Sequence, residues 1–553
     1  MRFQLDHDWQ GNMATPRARV GENAKTQLLL MLSALWILLG LTGHAPWKPL
    51  ESTGISIVKN ILSNHSWIAP LATGSTSLET PPLYYLSAAA SAALLSPLLD
   101  MHDGARLINA LWMSILLLMV GMTGRELWQR GVGRYATFIM IGTIGLILNA
   151  HSLNHEIANI TSCATGFYAF ALSKRRPWRA SALLATAISV GFLSSGILPP
   201  LILISTALVL PTGFKPWRTK SYTTFLSTAL LMASLPIGLW LALFYLKSPL
   251  LFQDWVSVLF QLDDFSHLYF LRILIWYAWP ALPLALWSLW RYRAHLFSKP
   301  KFQLSLVFFI TSLLLLGLLA PGKDISALPL LLPLVALGAG SVEHLKRGAA
   351  SALNWFGVSL FGLAGFLIWL GWFAMMTGYP SKIQARMQFL SGTSQAEISY
   401  PALIFAIIIT SIWAFTCVRA KQSNRASVTN WAVGMTFGWG LLMTLWLPWI
   451  DHAKSYQPVF LDMRNALPEN LSSACINSRD LGQSQRLLLD YAININLIPF
   501  EVDNTLTCDF YLIQDERGRN KLLPGDEWVL IWKGKRAADR KESFRLYRRM
   551  VAI

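Results

Sequence analysis

Runs of roughly 20 mostly apolar residues recur along this chain down to about residue 450, and each is long enough to cross a bilayer as a helix. They fall near 27–43, 105–124, 135–152, 157–173, 180–194, 197–211, 222–246, 269–290, 302–320, 325–342, 352–377, 400–418 and 430–449. The reading is a polytopic α-helical membrane protein with about 13 transmembrane helices. Composition agrees. Hydrophobic residues make up 54% and charged residues 14% of the 553 positions, against about a quarter charged in a soluble domain. A purely soluble enzyme and an intrinsically disordered chain are both excluded.

Charge sets the expected orientation. The short segments 125–134, 174–179, 215–220, 291–301, 343–347 and 419–425 carry nineteen Lys and Arg but only two acids, Glu126 and Glu343. The alternate segments carry seven basic and ten acidic residues. Cytoplasmic loops collect Lys and Arg, so the first set is expected inside, with an N-terminus in and C-terminus out. The net charge of +17 is then a topology signal and not a nucleic-acid surface. The same test keeps residues 83–99 out of the span count. If that Ala/Ser-rich run crossed, RELWQRGVGR at 125–134 would face outward. It belongs to a long first outer loop, 44–104. Residues 1–26 read as a cytoplasmic segment before an uncleaved anchor, since no small-residue cleavage site follows the first run.

From 451 to 553 the composition is that of a small soluble α/β domain, expected on the outer side. CDFYLIQ (508–514), EWVLIW (527–532) and SFRLYRR (543–549) read as strands, and QSQRLLLDYAI (483–493) as a helix. Cys475 and Cys508 lie there, where a disulfide is permitted; two separate thiols are the alternative.

Ionisable groups near a membrane are costly unless they face protein or water, so the few outer-side ones are functional candidates. They are Glu51 in HAPWKPLEST, Glu79 in SLETPPLYYL, His151, His155 and Glu156 in AHSLNHEIAN, Asp263, Asp264 and His267 in QLDDFSHLYF, and Lys323 and Asp324 in PGKDISALP. His151 and His155 share a face if helical and, with Glu156, could ligate a divalent metal. Lys323 could equally be a snorkelling interface lysine. No Walker A, GxGxxG or paired CxxC motif occurs, so no nucleotide cofactor is expected.

The long acidic outer loop, the Pro81-Pro82-Leu83-Tyr84-Tyr85 motif, the many spans and the outward C-terminal domain together resemble the GT-C glycosyltransferases. The similarity is to the bacterial branch related to protein mannosyltransferases (family 39) and the lipid A aminoarabinose transferase. That resemblance implies transfer of a monosaccharide from a polyprenyl-phosphate donor to a lipid, glycan or protein acceptor at the periplasmic face of the bacterial inner membrane. It implies Glu51 and Glu156 as catalytic carboxylates, with Glu79, Tyr84, Tyr85, His267, Lys323 and Asp324 around the substrates. The family's WKPDE stands here as Trp47-Lys48-Pro49-Leu50-Glu51, so its Asp is Leu50. Its EKPPLYYW stands as Glu79-Thr80 and onward, and its FLxKG as Phe192 to Gly196, so two lysines are Thr80 and Ser195. These losses keep a second reading open, a catalytically degenerate relative that binds polyprenyl-phosphate lipids or assists another transferase.

Overall fold

The computed structural model describes residues 22–259, 267–394, 397–419, 424–468, 475–499 and 508–516, and 525–550 apart from 526, 537 and 540. Every apolar run read as a span is helical. Six helices are long and apolar enough to cross a membrane: Met101–Leu127, Lys220–Lys247, Pro300–Leu319, Arg347–Thr377, Tyr400–Val418 and Asn424–Lys454. Two bent pairs add up to two more, Val132–Ile141 with Ile144–Ala150 at 63° and Leu268–Tyr277 with Ala281–Arg291 at 102°. The other five runs form Glu22–Leu38, Glu156–Leu172, Pro177–Ser195, Leu198–Gly213 and Leu328–Ala339, which are shorter or more polar.

Burial explains why these can depart from the free-standing pattern. Leu328–Ala339 is buried at all of its positions. Glu156–Leu172 is buried from Ile157 to Phe170, packed between Ile108–Leu127 and Pro177–Ser195. A helix enclosed by other helices need not present an apolar surface to lipid, so it can carry Asn159, Thr161, Ser162 and Thr165. The hydroxyls are satisfied locally: Thr161 donates to the Ile157 carbonyl at 2.7 Å and Thr165 to the Thr161 carbonyl at 2.8 Å.

The two bends meet. The Ile144 N–H donates to the Trp279 carbonyl at 3.3 Å, and the Trp431 indole N–H donates to the Gly142 carbonyl at 2.8 Å. Backbone groups freed from a helix inside a membrane need such partners, because lipid supplies none. The bends thereby carry the Asn149–Glu156 segment and the Leu268–Tyr277 helix toward each other.

The first loop holds helices Leu50–Asn64 and Leu83–Leu95. Thirteen residues of helix rise about 20 Å, short of the ~30 Å hydrocarbon core. Leu83–Leu95 thus falls among the shorter apolar helices.

The C-terminal part holds a five-stranded sheet of order β2-β1-β3-β5-β4. Its strands are β1 (Cys475–Arg479), β2 (Asn496–Pro499), β3 (Phe510–Glu516), β4 (Trp528–Gly534) and β5 (Glu542–Arg549). β1 runs parallel to β2 and β3, while β5 is antiparallel to β3 and β4. The segments read as strands are β3, β4 and β5, and helix Gln483–Ile493 links β1 to β2. β1 and β2, five and four residues long, are too short to show alternation.

Cys475 and Cys508 are joined by a disulfide across 33 positions. Closing a loop of that length restricts the unfolded chain by about 4 kcal/mol in the chain-entropy account. Replacing both cysteines by serine is expected to lower the unfolding midpoint of this sheet under non-reducing conditions. A midpoint unmoved relative to the parent chain would show that the bridge contributes nothing.

The sheet domain is seated on the first loop. Helix Gln483–Ile493 packs against helix Leu50–Asn64. Lys59 Nζ reaches Asp490 Oδ1 at 3.0 Å, and Thr73 Oγ1 donates to Asp490 Oδ2 at 2.9 Å. Lys48 Nζ pairs with Glu542 Oε1 at 2.6 Å, and the Tyr456 hydroxyl donates to Glu542 Oε2.

Candidate active site at the first outer loop

Glu51 sits in the first turn of Leu50–Asn64 and is 2% exposed. Both its oxygens are fully engaged. Oε1 accepts from Arg106 Nε at 2.7 Å and from the Leu153 N–H at 3.0 Å. Oε2 accepts from the Trp47 N–H at 2.9 Å and from Arg106 Nη2 at 3.2 Å. Arg106, 1% exposed, also holds Asp103 Oδ1 at 2.8 Å and the Leu41 and His44 carbonyls at 3.2 and 3.3 Å. Asp103 Oδ2 in turn accepts from the Gly43 N–H at 2.8 Å. This buried network ties both ends of the first loop to the turn before Glu156–Leu172. Four donors meet the Glu51 carboxylate, and through them it ties the loop together.

Burial alone would raise the Glu51 pKa. The Arg106 charge, helped by His44 and the hydrogen bonds from Arg106 and Trp47, outweighs it and holds the carboxyl below the usual range. Burial, with Arg106 adding to it, pushes His44 down, and burial pushes His102 down. The signs separate two acid steps. A histidine kept neutral by the fold loses stability as pH falls below its unfolded pKa of about 6.5. A carboxylate with depressed pKa keeps its contribution until pH falls below the ordinary range of about 4. The loop is therefore expected to begin loosening between about pH 6.5 and 5, by limited proteolysis. In a His44→Gln, His102→Gln chain that first step should vanish; its persistence would show that other groups titrate there.

Glu156 contrasts with Glu51. It opens its helix, half-buried, with Oε2 accepting from Asn159 Nδ2 at 2.7 Å and its own N–H donating to Asn154 Oδ1 at 3.1 Å. Oε1 has no protein donor among the described residues. Glu79 is exposed, touched by Gln483 Nε2 at 3.4 Å. The Tyr85 phenol lies in the field of both carboxylates: burial first, then Glu79 and Glu156, push its pKa up, so it stays a neutral hydroxyl. The buried Tyr277 hydroxyl accepts from Asn149 Nδ2 at 3.2 Å, and its helix packs on the short turn that opens at Asp324. Asp324 Oδ1 accepts from the Ile325 N–H at 3.0 Å at the head of its turn, and Lys323 is exposed beside it.

Two expected roles meet a different geometry. Tyr84 is fully buried, its hydroxyl donating to Asn109 Oδ1 at 2.7 Å, so it braces the loop and lines no groove. His151 does not join His155 and Glu156 as a metal ligand. Its ring nitrogens lie 2.9 and 3.3 Å from the Trp36 and Ile147 carbonyls, inside an aromatic contact with Trp36 and Trp439. Among the described residues no group of three His, Cys, Asp or Glu side chains is arranged to hold a metal. Asp263 and Asp264 lie outside the described residues, and so does the His267 side chain; His267 itself opens a helix.

Arg106 is absent from the candidates the sequence offered. A lone arginine at the head of an apolar span was the available signal for something more. Asn109 was missed. It accepts from Tyr84 and donates to the Ala150 and Ser152 carbonyls at 3.2 and 2.7 Å, setting the turn that presents Glu156.

No family model matches the chain. An undecaprenyl phosphate-α-4-amino-4-deoxy-L-arabinose arabinosyl transferase of Pseudomonas aeruginosa is 25% identical over 489 residues, 83% of this chain and 82% of that protein. A protein of the same name from Pseudomonas savastanoi pv. phaseolicola is 24% identical over 76% of each chain. Among solved structures, ArnT from Cupriavidus metallidurans bound to undecaprenyl phosphate superimposes with a TM-score of 0.67. That match covers 95% of this chain and 98% of the other at 13% identity, a likeness of fold.

Proposed function

We propose that this chain, a GT-C, ArnT-like membrane glycosyltransferase by its relatives and its fold, moves a monosaccharide from a polyprenyl-phosphate donor to a glycolipid of the lipid A type. The observation that carries the site assignment is the contrast between two carboxylates. Glu51 is saturated by Arg106, Trp47 and Leu153, whereas Glu156 keeps an oxygen free beside Tyr85 and Glu79. Glu156 receives the acceptor hydroxyl, and its charge favours the oxygen's loss of a proton as the sugar carbon is attacked. Glu79, Tyr85 and Asp324 surround the sugar. Among the basic side chains of the loop, Lys48 is paired to Glu542 and Arg106 to Glu51 and Asp103. Exposed Lys323 is left to meet that charge. The charge bias of the loops supports an N-in, C-out arrangement in the bacterial inner membrane, with the sheet domain and this site on the periplasmic side.

Leu50, Thr80 and Ser195, where the family carries charge, favour the second reading of a lipid-binding relative. Purified chain in nanodiscs, given undecaprenyl-phosphate aminoarabinose and lipid A, separates the two. Release of undecaprenyl phosphate that depends on lipid A is the expected result. Saturable binding of the lipid phosphate without release would replace the transferase by the lipid-binding relative.

A further inference from the structure

His155 precedes Glu156 in the turn that opens the Glu156–Leu172 helix. Its ring contacts are asymmetric. The Ser195 hydroxyl donates to the His155 carbonyl at 3.1 Å. The same oxygen lies 3.3 Å from His155 Nδ1. A Ser195 hydroxyl that donates to the carbonyl accepts from Nδ1, and this is the tautomer adopted here. A neutral imidazole protonated at Nδ1 has its lone pair on Nε2. Nε2 has no hydrogen-bond partner among the described residues, and the ring is half-buried, edge-on to Tyr85 with centroids 6.4 Å apart. Ser195 is the residue just before Gly196, whose φ of +80° turns the chain sharply at the end of its helix. The hydroxyl is thus held at a fixed break in the fold.

We infer that His155 is the proton acceptor of the transfer, oriented by Ser195, with Glu156 positioning the acceptor hydroxyl beside it. The inference rests on the transferase reading above. As the acceptor O–H bond breaks, its electron pair forms the new bond to the sugar C1. The bond from C1 to the phosphate oxygen breaks, and that pair leaves on the lipid phosphate. The proton goes to Nε2, and the adjacent Glu156 carboxylate stabilises the imidazolium until it passes its proton to water or to the departing phosphate. This arrangement performs the base chemistry in a chain where position 50 is leucine and Glu51 is held by four donors. It needs neither a metal nor a shift of the loop.

The test is turnover of the full chain in nanodiscs with undecaprenyl-phosphate aminoarabinose and lipid A, beside equilibrium binding of undecaprenyl phosphate. His155→Ala should lower kcat by roughly a hundredfold or more, while binding of undecaprenyl phosphate stays within about twofold and certifies the fold. Added imidazole should restore about tenfold of the loss, because a free base can enter the space. Ser195→Ala should cost about tenfold alone and nothing further on top of His155→Ala, since it acts only through the ring. Turnover by His155→Ala at near the parent rate would overturn the assignment. So would a loss that imidazole does not relieve and that adds to the Ser195→Ala loss. Either result leaves the transferase reading standing. Absence of turnover in the parent chain, with lipid binding intact, would overturn both.

Discussion

Arg106→Ala is expected to be the most damaging single substitution in the chain. It leaves the Glu51 and Asp103 carboxylates buried without their shared cation, and two loop carbonyls without a donor. Removing one partner of a buried ion pair costs about 3–5 kcal/mol, a large part of the net stability of most folds. The chain should accumulate poorly, and what is purified should melt at a lower temperature with its first loop open to protease. Arg106→Lys should rescue little, because one ammonium cannot span the fork between Glu51 and Asp103. A triple change, Arg106→Met with Glu51→Gln and Asp103→Asn, should recover more stability than Arg106→Ala, since no charge is then stranded. It should not recover turnover, because the loop that frames the site loses its register. An Arg106→Ala chain with unchanged melting and activity would show that the network does not hold the loop.

Glu156→Gln tests the opposite property, chemistry without stability. The amide oxygen of glutamine can still accept from Asn159, so the helix start should survive. What disappears is the negative charge beside the acceptor hydroxyl. A fall in kcat of roughly 10²- to 10⁴-fold, with the donor KM little changed, is the expected result. Glu51→Gln should differ in kind, lowering thermal stability and both kinetic constants through the loop. Should Glu51→Gln abolish turnover in a chain with normal melting while Glu156→Gln stays active, the roles of the two carboxylates would have to be exchanged.

How much of this was legible beforehand depends on the range of the interaction involved. That residues 105–124 or 302–320 are helices in a membrane follows from their own transfer free energy, and both are. The case against 83–99 as a span came from charges in the next loop, a nearby signal. The strands at 508–514, 527–532 and 543–549 showed in local pattern, and the Cys475–Cys508 pair could be raised from composition and expected sidedness. The outer-side acids could be collected on one face of the membrane for the same reason.

Tertiary structure decided which of those groups is free. Glu51 meets Arg106 across 55 positions and Leu153 across 102, His151 meets Trp36 across 115, and Lys48 meets Glu542 across 494. A carboxylate reads the same in a sequence whether it has four donors or one. Only packing brings the donors, and with them the difference between Glu51, held by four of them, and Glu156, whose Oε1 has none among the described residues. Membrane-spanning helices are a property of segments and their own composition, so the sequence alone determined them; availability is a property of long-range neighbours, and only the folded chain has them.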